Sequence, residues 1–132
     1  MKKRTLILLM FSLANAEDLK MQIYKPVTSS CPASWLSEIE MSIAKPEIMS
    51  IVDIKGLKSD IGIPKELQSC NTSILGDYVF EGNVPPEAIK KFMKEKPAGA
   101  IGLSLPASQN NEAVKKVYIL YPDKIYKLYG TY

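Results

Sequence analysis

Apolar positions recur along this chain with two periods, and the switches between them mark out its elements. In MQIYK, Met21 and Ile23 alternate with polar neighbours, which predicts a short strand over 21–25 closed by Pro26. A small-residue loop, VTSSC, follows. Pro32 then stands at a favourable first helical position, with Ser30 or Cys31 as the cap. Leu36, Ile39 and Ile43 continue at i, i+3 and i+7, so one face of this helix is apolar, and Pro46 is expected to stop it. The β-branched run IMSIVDI, 48–54, reads as a buried strand, and 56–63 as a short helix or turn ahead of Pro64. In TSILGDYVFEG two β-rich runs flank Gly76 and Asp77, a two-residue loop suited to a hairpin. Pro85 and Pro86 open a helix with Glu87 in its first turn and Ile89, Phe92 and Met93 facing inward; Pro97 and Gly99 are expected to end it. Beyond 100–106 and a polar loop, SQNNE, two further strands are predicted over 116–121 and 125–129, joined at Pro122 and Asp123.

The order is strand, helix, strand, short helix, hairpin, helix and a C-terminal strand pair. A parallel βαβ unit followed by an antiparallel hairpin and a second packed helix predicts an α/β, thioredoxin-like fold, a central mixed sheet with flanking helices. Cys31 then falls where the first strand hands over to the first helix. Backbone N–H groups and the helix dipole at such a place favour a thiolate, lowering a cysteine pKa from about 8.5 into a range of roughly 3.5 to 7.5 in reactive cases.

The N-terminus changes the charge balance. Lys2, Lys3 and Arg4 precede a short apolar run, 5–13, and Ala14-Asn15-Ala16 is a small-x-small cleavage site, so residues 1–16 read as a signal peptide cut after Ala16. The expected product is one domain, 17–132, exported to the periplasm. The apolar run is about half the roughly 20 residues that span a bilayer, and no later stretch comes close, so no membrane anchor is expected in the mature chain. Of 17 Lys and Arg against 14 Asp and Glu, three bases lie in the leader, which leaves the exported chain formally neutral and without arginine. A nucleic-acid reader needs a basic face, and none is implied. The absence of histidine excludes Ser-His-Asp and Cys-His nucleophile systems and removes the commonest zinc ligand. Export makes a disulfide between the two cysteines, Cys31 and Cys70, permissible.

Four segments carry a resemblance: YKPVTSSCPASW at 24–35, GIPKELQSCNT at 62–72, GDYVFEGNVPPEAIKKFMKEKP at 76–97 and AIGLSLP at 100–106. With them the chain resembles the CopG-like thioredoxin-fold family, small exported proteins associated with bacterial copper resistance. The resemblance implies a copper-handling protein that meets copper or a periplasmic copper or redox protein, with Cys31 and Cys70 as metal ligands. The family's Cys-x-Cys-Cys loop, aligned on Trp35, falls on Ser29, Cys31 and Pro32, so one cysteine of that loop is present. Asn71 and Asn83 stand where the family's Ser-Cys-His-Thr and Glu-Gly-His-Val-Pro motifs carry histidine. A multinuclear thiolate cluster cannot be assembled from two sulfurs. Two thiolates do suit one Cu(I), which tolerates low coordination, whereas tetrahedral zinc would lack two ligands.

Two other readings of the cysteines stand beside this one. Cys31-Pro32-Ala33-Ser34 is a Cys-x-x-Ser at a helix start, so Cys31 could attack disulfides with Cys70 resolving; thiol–disulfide exchange is the only catalysis these residues can support. Alternatively, a Cys31–Cys70 disulfide is purely structural, contributing about 4 kcal/mol in the chain-entropy model. Trp35 reads as a core or rim aromatic, Lys90, Lys91, Lys94 and Lys96 as a solvated helix face, and the tyrosine-rich tail as sheet.

Overall fold

The computed structural model describes residues 20–28, 31 and 34–132. The leader expected over 1–16, the cleavage point after Ala16 and the helix start at Pro32 lie outside the described residues. Strand β1 (Lys20–Pro26) buries Met21 and Ile23, the alternate positions that predicted it. Helix α1 (Ser34–Ser42) follows and turns Trp35 and Ile39 inward. It leads to β2 (Lys45–Ile51), which pairs in parallel with β1. Helix α2 (Ile54–Ile61) carries the chain to β3 (Thr72–Leu75) and β4 (Tyr78–Glu81), the hairpin expected around Gly76 and Asp77. Helix α3 (Pro86–Glu95), strand β5 (Gly102–Ser104), and strands β6 (Lys116–Leu120) and β7 (Tyr126–Thr131) complete the chain.

The seven strands form one mixed sheet in the order β2-β1-β3-β4-β5-β6-β7. The α/β class read from the element order holds, with the expected βαβ unit and the hairpin followed by a helix. Trp35 and Ile39 of α1 and Ala88, Ile89 and Phe92 of α3 belong to one core with Met21, Leu75, Phe80, Leu103 and Val117 from the sheet. A smaller cluster, Ile63, Leu67, Val79 and Leu120, packs separately. Phe92 meets Tyr78, Phe80 and Tyr129 edge-on, at ring-centroid separations of 4.9, 5.7 and 6.2 Å. Aromatic pairs at these separations favour edge contacts because each ring has a negative face and a positive rim. Tyr129 thereby ties the last strand to α3.

Four expectations need correction. The strand expected to be buried over 48–54 runs instead from Lys45 to Ile51 at the sheet's edge, with Ile48 44% exposed. Pro46 lies inside that strand, and α1 already ends at Ser42. An edge strand tolerates proline because one side of it has no ladder to donate to, and exposed Lys45 and Glu47 discourage pairing with another chain. Ile54 belongs to α2, whose start is fixed by Asp53 accepting the Gly56 N–H at 2.9 Å. Helix α3 stops at Glu95 because Lys96 turns left-handed, φ 45°, with its N–H donating to Phe92 O at 2.7 Å.

Strand β5 was not foreseen. Its three residues are all buried between β4 and β6, and they join the C-terminal pair to the rest of the sheet. Three residues are too few to show a period. Gly102 allows the approach of β4: a Cβ there would lie 1.7 Å from Val79 O. Gly102→Ala should therefore separate β4 from β5 and destabilise by about 1–3 kcal/mol or more, read as a lower urea midpoint; a midpoint equal to the parent's would contradict this packing. Phe92→Ala, which empties the aromatic cluster, should cost about 3–5 kcal/mol in the same assay, and a loss below about 1 kcal/mol would contradict the central place given to this ring.

Candidate functional site

Three strands end or begin at one end of the sheet and deliver the site. β1 and β3 are antiparallel neighbours with Tyr24 opposite Thr72, so the chain leaving β1 and the chain entering β3 emerge side by side. β3 and β4 pair with Thr72 opposite Glu81, which brings the end of β4 to the same place. Cys31, between β1 and α1, and Cys70, just before β3, therefore meet although 39 positions separate them. They are joined in a disulfide with Cα atoms 5.9 Å apart, inside the reach of such a bridge. Both residues are half-buried.

Trp35 closes one side of this site. Its indole N–H donates to Val84 O at 2.7 Å, tying α1 to the segment that leads into α3. Trp35 and Cys31 line a cavity of about 30 Å³ with Ile23 and Asn71, room for a water-sized atom. On its other side Trp35 borders a groove of about 620 Å³ with Asn83, Pro85 and Tyr132. Asn83 Oδ1 is buried there and has no hydrogen-bond partner among the described residues.

The loop that carries Cys70 is held from both flanks by the end of β4. On one flank the Ser69 N–H donates to Glu81 Oε2 at 2.8 Å. On the other, the Gly82 N–H donates to Asn71 O at 2.8 Å. Gly82 has φ +77°, and a Cβ on it would lie 2.4 Å from Leu105 O and 2.8 Å from Ser69 Cβ, so only glycine fits. Glu81 is wholly buried. Its Oε1 accepts from the Thr72 hydroxyl at 2.6 Å, and its Oε2 is ion-paired with Lys58 Nζ, which also donates to Thr72 Oγ1 at 2.8 Å. Loss of water pushes the Glu81 carboxyl up and the Lys58 ammonium down, and their mutual attraction opposes both shifts.

Sequence reasoning missed this cluster, although it left two signals. Lys58 stands four after Ile54 and three before Ile61, in the apolar stripe of α2 where a core residue is expected. Glu81 ends a strand whose preceding residues, Val79 and Phe80, are buried. Neither signal names a partner, because the two residues lie 23 positions apart.

The two cysteines are brought together in a disulfide. The described residues hold no group of three or more His, Cys, Asp or Glu able to take a metal ion. Cys31 and Cys70 thus offer two soft donors once reduced, which fits an ion of low coordination number and leaves a tetrahedral zinc shell incomplete. Asn71 is buried and directs its amide to Gly82 O at 3.5 Å, a backbone contact. Ser29, Ser30 and Pro32 lie outside the described residues.

Residues 67–109, which carry Cys70, Glu81 and Gly82, match the family model described as "Protein of unknown function, DUF411". No curated protein matches the chain. Two solved structures are similar in fold, "Copper resistance protein copG- Form 1" and "Form 2", each 20% identical, with a TM-score of 0.73 over 86% of this chain. The match spans 97% of the first and 98% of the second. The chain therefore has the CopG-like fold that its motifs imply, and it carries the DUF411 segment around Cys70.

Proposed function

We propose that this chain is an exported, copper-associated protein whose working site is the Cys31–Cys70 pair, bridged when oxidised and able to hold one Cu(I) when reduced. The observation that carries the reading is the meeting of two cysteines at one end of the sheet, half-buried and 5.9 Å apart at Cα. Two thiolates at that spacing suit a soft monovalent ion. The similarly folded copper resistance proteins favour copper among soft ions. Reduction by a dithiol breaks the bridge and passes two electrons and two protons to the sulfurs. Copper then displaces those protons, so uptake weakens as pH falls. The reading includes export through residues 1–16 to the periplasm and delivery to or from a periplasmic copper or redox protein; it assigns no catalytic residue.

The bridge itself favours a second reading. A disulfide closing a loop with a separation of 39 stabilises a small domain by about 4 kcal/mol in the chain-entropy model. On that reading the protein's task is binding or structural and the sulfurs never open.

A Cu(I) titration of the reduced protein, residues 17–132, against a competing chromogenic chelator separates the two. One equivalent should bind tightly, and Cys31→Ser and Cys70→Ser should each abolish it. No competition with the chelator would leave the structural reading in place.

A further inference from the structure

Beside the Cys31–Cys70 bridge lies a buried ion pair, Lys58 and Glu81, for which the proposed copper site has no use. Glu81 is 0% exposed and Lys58 2% exposed, and withdrawing such ions from water is costly before their attraction returns part of the cost. An apolar pair of similar size would avoid that cost. The carboxylate does something an apolar side chain cannot: it accepts the backbone N–H of Ser69, the residue next to Cys70. Lys58 and Thr72 hold the carboxylate in place, each through the contacts already given, and Ser69 N–H, Thr72 and Lys58 are the groups that face it. Gly82, directly after Glu81, fixes the residue on the far side of Cys70 through backbone alone.

The geometry points to Glu81 as a positioning residue for Cys70: its buried carboxylate clamps the Ser69 N–H and so keeps the Cys70 sulfur facing Cys31 whether or not the two are bonded. None of the clamp's atoms is a sulfur, so opening the bridge does not remove it. A preset pair of thiols has a high effective concentration toward each other, which favours the disulfide over two free thiols. Loosening the clamp should make the bond easier to reduce. The inference deepens the reading of the pair as the working site, and its test contains no metal, so failure of copper binding would not count against it.

The exchange to be measured is protein disulfide plus dithiothreitol giving protein dithiol plus cyclic dithiothreitol disulfide; one S–S bond breaks, one forms, and two electrons and two protons pass to the protein. The protein is exported from cells expressing the full chain, equilibrated over a series of oxidised-to-reduced dithiothreitol ratios, and its thiols are counted by alkylation and mass. Two double variants remove the ion pair equally. Lys58→Met with Glu81→Gln keeps an amide oxygen for Ser69, whereas Lys58→Met with Glu81→Leu keeps none. The Gln pair should stay within about threefold of the parent's equilibrium constant, and the Leu pair should shift about tenfold toward the dithiol, ~30 mV for two electrons. Equal constants for the Leu and Gln pairs would overturn the proposal. A measurement on the parent needs no variant to fold: by hydrogen exchange the Ser69 amide should stay protected after reduction, and exchange there at the rate of an exposed loop amide would overturn it as well.

Discussion

Strand β1 is hydrogen-bonded on both sides, in parallel to β2 and antiparallel to β3, and this double pairing sets where the chemistry sits. Because Tyr24 lies opposite Thr72, the loops that carry Cys31 and Cys70 leave the sheet at the same end, close to each other. Registers in a sheet are protected by the two-residue side-chain period, since a slip by one would turn Met21 and Ile23 out of the core. The same burial that stabilises β1 therefore fixes the distance between two sulfurs.

Nearness is refined by polar contacts at the end of β4. Glu81 and Gly82 reach Ser69 and Asn71, the two neighbours of Cys70, one through a side chain and one through backbone. Inside the protein such bonds are stronger than at the surface because water does not compete, and leaving any of them unmade would be correspondingly costly. That cooperation of a buried ion pair with a sulfur loop is consistent with a site in which orientation matters more than raw stability.

Much of the fold was legible in the sequence. Alternation at Met21 and Ile23 gave the first strand, Gly76 and Asp77 the hairpin, and the spacing of Ile89 and Phe92 the face of α3, because in each case local propensity and burial agree. The edge position of β2 was hidden because a β-branched run looks alike whether it lies at the centre or the margin of a sheet; the charges at Lys45 and Glu47 were the clue. Strand β5 was hidden by its length. At the site, both cysteines were visible, but their union depended on a strand pairing that only the tertiary structure supplies, and the Lys58–Glu81 contact depended on it too.

The chain thus has a CopG-like fold around two bridged sulfurs. The central proposal is that these two sulfurs, once reduced, hold the copper ion. X-ray absorption at the copper edge of the reduced protein loaded with one equivalent of Cu(I) tests it most directly. The account predicts a monovalent edge with two sulfur scatterers in the first shell and no nitrogen or oxygen beyond them. A first shell of nitrogen or oxygen, or one unchanged by Cys31→Ser, would contradict it.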